Sequence, residues 1–347
     1  MAHAAHHRRR SPSAEPAVNA AKNCSTKNSN KTKTPDTTTT ATKNTTSTGS
    51  SYSIVEQWSG STFFEGWNFY SSSDPTHGTV DYLSQSAAES AKLAYVSNGV
   101  AYMKVDSTSN LGYGQGRKSV RIASQKRFDG GLFIADILHM PTGLATWPAF
   151  WTVGQNWPNH GEIDIIETVN TNTQNQMTLH TASGCTIDTS STAPTGFKVS
   201  AIASSLGSTT CGSSKSSNSG CAFIDSDKAS AGAPFNAAGG GVFAMEWTSN
   251  GLKIWFFPRG SEPSDIASQN PNPNNWSTTY QKAAWSSHTC DTKKYFQQHA
   301  ITFDTTLCGD WAGSAFSGGK TACEKYVQTG SHFKEAYWAI NHVSVYQ

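Results

Sequence analysis

Apolar and polar residues alternate in short runs along most of the chain, which is the pattern of half-buried β-strands. Seven such runs stand between turn-forming residues, at 100–105, 119–122, 132–137, 177–181, 242–247, 252–257 and 338–346. Two of them are joined through Asn250-Gly251, a pair typical of tight hairpins. Helical periodicity is visible only at 86–94. The pattern predicts an all-β protein with two antiparallel sheets packed as a sandwich.

One run, 161–168, combines three carboxylates with three isoleucines. In a strand, the period of two places Glu162 and Asp164 on one face and Ile163 on the other. Strict alternation would bury Glu167 in the core, where an unpaired carboxylate is too costly. A β-bulge at the isoleucine pair before Glu167 returns this residue to the face of the other two acids. A helix would turn Asp164 and Glu167 about 140–200° away from Glu162, so we predict a bulged strand that presents all three acids to a cleft.

The composition, with 36% hydrophobic and only 14% charged residues, is typical of a secreted, β-rich protein. Residues 1–50 carry eight Lys or Arg against two acids, so the overall charge of +2 leaves the remainder at −4. A mildly acidic domain argues against nucleic acid as a ligand and favours a neutral substrate. Residues 1–50 have almost no large apolar side chains, which predicts a disordered, basic, Ser/Thr-rich tail. One β-sandwich domain is expected at 51–347.

The cysteines favour disulfides over a zinc site, because they form no closely spaced pairs. Six of the seven lie in the second half of the chain, at Cys185, Cys211, Cys221, Cys290, Cys308 and Cys323. We expect three disulfides among them, and the sequence does not choose their connectivity. Cys211 and Cys221 bracket a Gly/Ser-rich loop that they are expected to close locally. Cys24, in the tail, is left over.

The sequence points to the secretory route. No apolar run reaches the roughly 18 residues of a transmembrane helix. The first ten residues lack the apolar region of a signal peptide, so we expect that a signal was removed. We predict a secreted, extracellular or cell-wall-associated glycoprotein. Glycosylation sequons occur at Asn23, Asn30, Asn44 and Asn275.

The three acids of the bulged strand suit glycoside hydrolysis, in which one carboxylate attacks the sugar while another carboxyl group first donates and then accepts a proton. A retaining enzyme holds these two groups about 5–5.5 Å apart, so Glu162 and Glu167 must lean together over Asp164. Asp164 can hydrogen-bond one glutamate, and the crowding keeps at least one acid protonated near neutral pH. The alternative is a calcium site, which is disfavoured because calcium loops use turns and glycine.

Residues on both sides of the acids add candidate sugar contacts. Trp faces stack on the apolar faces of sugars, and Trp157, in a turn-rich segment, is a better candidate than Trp147, with Trp151 between them. If 170–175 form a turn, alternation places His180 on the face of the carboxylates. There it would orient the nucleophile or a sugar hydroxyl, although a lone histidine is as often structural.

Several stretches quoted above are similar to glycoside hydrolase family 16, in particular to fungal laminarinase-like endo-1,3(4)-β-glucanases. The likeness rests on Glu-Ile-Asp-Ile-Ile-Glu at 162–167, preceded by Trp-Pro-Ala-Phe-Trp at 147–151 and Asn-Trp-Pro at 156–158. It extends over nearly all of 52–347, with further matches at 74–82, 118–122, 303–313 and 338–341.

This resemblance implies a concanavalin-like antiparallel β-jelly roll with a substrate cleft across its concave sheet. It also implies that Glu162 is the nucleophile, Glu167 the acid/base and Asp164 their helper. The bulged spacing goes with laminarinases and some algal-galactan enzymes, and the unbulged spacing with lichenases and wall transglycosylases. Positions matching substrate contacts in relatives are Arg121, Trp151 and Trp157, with Trp311 on the leaving-group side.

The function that the resemblance implies is a retaining endo-β-glucanase that cleaves β-1,3 and mixed β-1,3/1,4 glucans through a covalent glycosyl-enzyme. A cell-wall transglycosylase would share the first half of this reaction. A non-catalytic glucan-binding module would have lost one of the acids. We expect a monomer with a β-glucan partner, no nucleic acid or membrane partner, and no cofactor or metal. Some relatives bind a structural calcium ion away from the cleft, and no motif here decides that point.

Overall fold

A computed structural model describes residues 52–214 and 217–347. The tail predicted at 1–50, with Cys24 and the sequons Asn23, Asn30 and Asn44, lies outside the described residues. The strands are β1 (Ile54–Ser59), β2 (Trp67–Phe69), β3 (Val80–Tyr82), β4 (Ala94–Ser97), β5 (Val100–Lys104), β6 (Arg117–Ser119), β7 (Arg121–Ser124), β8 (Gly131–His139), β9 (Thr146–Val153), β10 (Glu162–Glu167), β11 (Gln176–His180), β12 (Ser204–Leu206), β13 (Cys221–Asp225), β14 (Gly241–Thr248), β15 (Gly251–Pro258), β16 (Gln281–Ser286), β17 (Ala300–Leu307) and β18 (Tyr337–Tyr346). The α-helices are α1 (Gln85–Ser90), α2 (Gly232–Ala237), α3 (Ser264–Ala267), α4 (Thr292–Tyr295) and α5 (Gly319–Val327). Single 3-10 turns occur at Gly60–Thr62, Val199–Ala201, Pro273–Asn275, Thr278–Tyr280 and Gly330–Phe333.

Two large antiparallel sheets make up the domain. One runs β16-β15-β14-β8-β18-β5-β4, with β1 also paired to β18. The other runs β12-β13-β11-β10-β9-β17-β7-β2, and β3 and β6 form a small parallel pair beside them. The order is far from sequential, which is characteristic of a jelly roll. The predicted all-β, antiparallel jelly-roll sandwich is therefore confirmed.

The hydrophobic core fills the space between the inner faces of the two sheets. Phe150 on β9 stacks on Phe303 of β17 with ring centroids 4.3 Å apart. Phe303 in turn meets Trp338 of β18 edge to face at 5.3 Å, which joins one sheet to the other. All three side chains are completely buried. Each contributes about 1.5–3 kcal/mol of transfer free energy, so the alternating pattern of the strands drives the packing of the sheets.

Each of the seven predicted strand runs overlaps an observed strand. The predicted helix at 86–94 is wrong beyond its first half, because α1 ends at Ser90, Lys92 adopts a left-handed backbone (φ 55°) and β4 begins at Ala94. Helix α5 was not predicted. It buries only Cys323 and Val327, so its sequence shows little helical periodicity.

The three predicted disulfides are present and pair all six cysteines of the described part: Cys185–Cys290, Cys211–Cys221 and Cys308–Cys323. The prediction that Cys211 and Cys221 close their loop locally is confirmed. The last disulfide ties α5 to the end of β17. Among the helices of the described residues, none has the length and apolar character needed to cross a membrane.

Candidate active site

Strand β10 carries the predicted bulge. Its register with β9 and β11 shifts after Asp164, and the pairing resumes with Glu167 opposite Ala149 and Gln176. The isoleucines of the strand are completely buried in the core. One extra residue therefore enters the strand at this point, and Glu162, Asp164 and Glu167 line the same cavity on the opposite face.

The bulge leaves backbone groups without ladder partners, and a single buried amide satisfies them. Asn175 accepts a hydrogen bond from the Glu167 N–H through Oδ1 at 2.9 Å. Its Nδ2 donates to the carbonyl of Ile165, also at 2.9 Å. Asn175 is itself completely buried. This side chain fixes the irregular backbone and with it the position of the Glu167 carboxyl.

A cavity of about 840 Å³ lies over β10 and its neighbours, within the size range of ligand sites in enzymes. All eight residues singled out from the sequence line it: Arg121, Trp151, Trp157, Glu162, Asp164, Glu167, His180 and Trp311. They come from four strands, β7, β9, β10 and β11, and from the connections that follow β9 and β17. The sheet order places them together, because β7, β17, β9, β10 and β11 are successive neighbours.

His180 emerges beside the carboxylates, as alternation along β11 predicts. It pairs directly with Glu162 across the β10–β11 ladder. Its Nε2 lies 3.3 Å from Oδ2 of Asp164, and both side chains are more than nine-tenths buried. On the other side of the ring, Nδ1 lies 3.0 Å from the hydroxyl of Ser213.

Trp147 makes a direct contact that the sequence argument did not assign. Its indole Nε1 donates a hydrogen bond to Oε1 of Glu167 at 2.8 Å. Its ring meets Trp311 edge to face, with centroids 5.7 Å apart. Trp147 and Trp157 both line the cavity, so the preference for Trp157 over Trp147 overlooked a neighbour of the carboxylates.

Burial dominates the electrostatics of the three acids. It raises the pKa of each of Glu162, Asp164 and Glu167 to about 8, even though both glutamates keep part of their surface open to the cleft. Repulsion from Asp164 adds to the rise in both glutamates. The hydrogen bond from Trp147 acts in the opposite direction on Glu167. The cluster therefore holds protons near neutral pH, as the crowding of the three acids predicts.

A fourth buried carboxyl, Asp304 on β17, was missed by the sequence argument. It lies in the cavity wall, and its Oδ2 is 3.5 Å from the Arg121 guanidinium. Burial raises the pKa of Asp304 to about 7, although the charge of Arg121 opposes the rise. The sequence offered little signal, since Asp304 is the one charged residue of a strand, Ala300–Leu307, that otherwise holds apolar residues and threonines.

Arg121 is held between two aromatic rings. Its guanidinium lies 4.8 Å from the ring centroid of Tyr70 and 5.0 Å from that of Trp151. Cation–π contacts of this kind and the ion pair with Asp304 fix its position. The guanidinium thus lies in the wall of the cleft as a rigid donor.

Trp157 sits in the connection between β9 and β10. A buried histidine anchors this connection, since Nε2 of His299 lies 2.7 Å from the carbonyl of His160. The other ring nitrogen of His299 lies 2.8 Å from the hydroxyl of Thr152 on β9. Trp157 is therefore presented from a segment that is tied back to the sheet.

A second, smaller cavity of about 360 Å³ adjoins the first at Glu167, Gln176 and Trp311. Hydroxyl and amide side chains of the β10–β11 connection contribute most of the remaining wall: Thr168, Thr171, Asn172, Thr173 and Gln174. Glu167 is the one ionisable residue in its lining. The cleft therefore continues beyond Glu167 into a neutral, polar space.

Two groups of described residues meet the distance requirement for a metal ion. Glu162, Asp164 and His180 each bring one ligand atom within 4.8 Å of the others. However, metal ligands must be deprotonated, and the raised pKa values of the two acids work against that. The second group, Cys185, Cys211 and Cys290, is committed to disulfides. The expectations of no cofactor and no metal stay predictions.

Comparisons with known proteins agree with this fold and cleft. The sequence model of the XgeA-like catalytic GH16 domain matches residues 67–346. A probable glycosidase of Schizosaccharomyces pombe is 42% identical over 303 residues, covering 86% of this chain and 70% of the relative. The endo-1,3(4)-β-glucanase xgeA of Emericella nidulans is 39% identical over 312 residues, covering 86% of this chain and 48% of the relative. The chain thus spans less than half of the Emericella protein.

Two solved structures share the fold over their whole length. One is an elongating GH family 16 β-1,3-glucosyltransferase, 39% identical, with a TM-score of 0.78 over 86% of this chain and 100% of that one. The other is Laminarinase 16A from Phanerochaete chrysosporium, 38% identical, with a TM-score of 0.78 over 85% of this chain and 99% of that one. The family model and the named relatives define the class of this chain as a glycoside hydrolase domain. The chain belongs to glycoside hydrolase family 16, and within it to the XgeA-like group of catalytic domains.

Proposed function

We propose that this protein is a retaining endo-β-glucanase that hydrolyses β-1,3 and mixed β-1,3/1,4 glucans. One observation carries the proposal: two glutamates and an aspartate with raised pKa values share one face of a bulged strand in a long cleft. Pairs of carboxyl groups on either side of a glycosidic bond are the machinery of this reaction class. We assign Glu162 as the nucleophile and Glu167 as the acid/base.

In the first step the ionised Glu162 carboxylate forms a bond to the anomeric carbon. The bond from that carbon to the leaving sugar breaks, and Glu167 gives its proton to the departing oxygen. A general acid must still be protonated at the working pH. Burial of Glu167 supports this role, because it holds the pKa of the carboxyl at about 8.

In the second step the same Glu167, now ionised, takes a proton from water. The water oxygen bonds to the anomeric carbon and displaces Glu162, so the configuration of the sugar is retained. The indole N–H of Trp147, 2.8 Å from Glu167 Oε1, stabilises the ionised form that this step requires. Asp164 lies between the glutamates in sequence and shares a hydrogen bond with Glu162. We assign it the control of the protonation state of Glu162.

The walls of the cleft suit a neutral polysaccharide. Aromatic side chains that line the cavity with the acids, among them Trp151, Trp157 and Trp311, offer apolar surface to sugar rings. Hydroxyl and amide groups line the space beyond Glu167. The Phanerochaete laminarinase is described with 6-O-glucosyl-laminaritriose in its donor and acceptor sites. A β-glucan is accordingly the proposed substrate of this chain.

The protein is proposed to act outside the cell as a monomer. Three disulfides support an oxidising compartment. The described sequon at Asn275 has its asparagine exposed, as a glycan acceptor must be.

Transglycosylation is a second candidate function, favoured by one specific observation. A solved relative of 39% identity is described as an elongating β-1,3-glucosyltransferase. Both reactions share the glycosyl-enzyme, and they differ only in whether water or a sugar hydroxyl displaces Glu162. Incubation of laminarin oligosaccharides with an added acceptor, followed by mass analysis, separates them. Products longer than the starting oligosaccharide, in excess over hydrolysis, would favour the transferase.

Chemical rescue tests the roles of the two glutamates. The Glu162→Ala variant should lose turnover by several orders of magnitude. With an aryl β-glucoside oligomer and added azide it should form the α-glycosyl azide, because azide replaces the missing nucleophile from the opposite face. Glu167→Ala should give the β-glycosyl azide on the same substrate. Nuclear magnetic resonance of the anomeric proton distinguishes the two products.

Glu65→Ala is a matched control, since this glutamate is exposed and does not line the cavity. Its turnover should equal that of the unmodified protein. An α-azide from Glu167→Ala would reverse the assignment. If both Glu162→Ala and Glu167→Ala kept their turnover, the reaction would not take place at this site.

A further inference from the structure

Described residues near both ends of the loop closed by Cys211–Cys221 lie against the ring of His180. Its backbone pairs with the end of β11, where the N–H of Thr181 donates to the carbonyl of Cys211 at 2.9 Å and the N–H of Ser213 donates to the carbonyl of Thr181 at 2.8 Å. At the far end of the loop, Gly220 approaches so closely that a Cβ there would lie 2.8 Å from Cε1 of His180. The ring is thus held from two sides by one disulfide-bonded segment.

The contacts of Ser213 bear on which ring nitrogen of His180 carries a proton. The Ser213 hydroxyl lies 3.2 Å from the carbonyl of Cys211 and 3.0 Å from Nδ1 of His180. A serine hydroxyl has a single proton to donate, and when that proton goes to the carbonyl, the hydroxyl oxygen accepts from Nδ1. In a neutral imidazole the other nitrogen, Nε2, then has only its lone pair to present. That lone pair faces Oδ2 of Asp164 at 3.3 Å.

We propose that Ser213 is a positioning residue that holds His180 in its Nδ1–H tautomer, so that Asp164 keeps its own proton by donating it to Nε2. The proton stays on Asp164, and Glu162 becomes the ionised member of the pair that can attack the sugar. The inference deepens the proposed function, since it rests on Glu162 as nucleophile. It adds a contribution from outside β10, because the disulfide-bonded loop sets the tautomer of His180.

The charged surroundings of Asp164 favour the neutral carboxyl. Among the described residues, the titratable groups facing it are Glu162 and Glu167 on its own strand, His180 on β11 and Asp304 on β17. Arg121 on β7 is the balancing cation, and it is paired with Asp304. Burial raises the pKa of Asp164 and Asp304 adds to the rise, while a hydrogen bond with Glu162 acts in the opposite direction. A protonated Asp164 is the partner that a lone pair on Nε2 requires.

The tautomer can be read directly by nuclear magnetic resonance of the full chain labelled with ¹⁵N in its histidines, at pH 7. The His180→Gln variant identifies the signals of this residue by their loss. In the unmodified protein we expect His180 to show a protonated Nδ1 and an unprotonated Nε2. Ser213→Ala should move the proton to Nε2, and Ser213→Thr, which keeps a hydroxyl, should restore it to Nδ1. An Nε2–H or doubly protonated ring in the unmodified protein would overturn the proposal, as would an unchanged tautomer in Ser213→Ala.

Activity provides a second readout with a defined sign. With Nε2–H in Ser213→Ala, the ring donates to Asp164 and favours its anion, and the shared proton passes to Glu162. The nucleophile then ionises only at higher pH, so the acidic limb of kcat/KM should move up by about one pH unit, a loss of roughly tenfold below the limb. Ser217→Ala removes an exposed hydroxyl of the same loop that does not line the cavity, and it should leave the limb in place.

The two readouts separate the inference from the function on which it rests. If the unmodified protein cleaved no glucan, the proposed function would fail, and the ring signals would still decide the tautomer. If the protein cleaved glucan and the acidic limb of kcat/KM stayed in place in Ser213→Ala, the positioning role of Ser213 would be refuted and the proposed glucanase function would stand.

Discussion

Replacing Trp147 with phenylalanine tests the acid/base role of Glu167 at a single hydrogen bond. The indole N–H donates to Oε1 of Glu167 at 2.8 Å and lowers its pKa against the effect of burial. Phenylalanine keeps a ring against Trp311 and removes the donor. A hydrogen bond to a charged group contributes about 1.5–3 kcal/mol, and 1.36 kcal/mol corresponds to about one pKa unit. Because Glu167 is only half-buried, we take the lower end and expect a rise of about one unit.

The sign of the effect on activity follows from the state that each step requires. The first step requires protonated Glu167, so a higher pKa extends activity to higher pH, and the alkaline limb of kcat/KM should move up by about one unit. The second step requires the ionised form, so release of the glycosyl-enzyme at pH 6 should slow. Stopped-flow assays with an aryl β-glucoside oligomer separate these steps. The control Trp311→Phe alters the adjacent ring without touching the hydrogen bond, and it should leave the limb unmoved. A limb that stayed fixed or moved down in Trp147→Phe would refute the reasoning.

Two further predictions concern binding and stability. Trp157→Ala should weaken the binding of laminarin oligosaccharides by about 1–2 kcal/mol, a loss of affinity of roughly 5- to 30-fold in calorimetry. The control Tyr113→Ala removes an exposed aromatic residue outside the cleft and should leave the affinity unchanged. If Trp157→Ala bound as tightly as the unmodified protein, Trp157 would be structural. Asp164 and Glu167, with pKa values of about 8, bind protons in the folded state that they lose in the unfolded chain above about pH 4.5, so the free energy of unfolding should fall as the pH rises from 5 to 8. Glu167→Gln should make this fall shallower in denaturant titrations at several pH values, and an identical slope would show that Glu167 does not carry the proton.

The parts of the site that lie within one strand or one hairpin could be predicted from the sequence. The bulge in β10 follows from the period of two together with the cost of burying Glu167. The position of His180 follows from the same alternation continued through the next turn. Both arguments require only neighbouring residues. The roles of Arg121 and Trp311 came from a family resemblance alone, and those of Trp151 and Trp157 also from the stacking of Trp on sugars. All four stay predictions, although these residues line the cavity.

The parts that depend on sheet order could not be reached in this way. Asp304 approaches the acids because β17 lies beside β9, a pairing across about half the domain that no local pattern announces. Ser213 reaches His180 only because a disulfide folds its loop back onto β11. Each of these contacts belongs to the tertiary arrangement.

The bulge also has a consequence for how this strand can change over generations. In an ordinary strand, inserting one residue exchanges inside and outside for everything that follows, which would turn an acid toward the core. Here the extra residue is absorbed locally, since the amide of Asn175 takes up the backbone groups that the irregularity frees. The strand can therefore differ by one residue in length while the same carboxyls face the cleft. A homologue that gains the extra residue keeps the arrangement of its carboxyls if it also gains a side chain like Asn175. A homologue that loses the extra residue no longer needs that side chain.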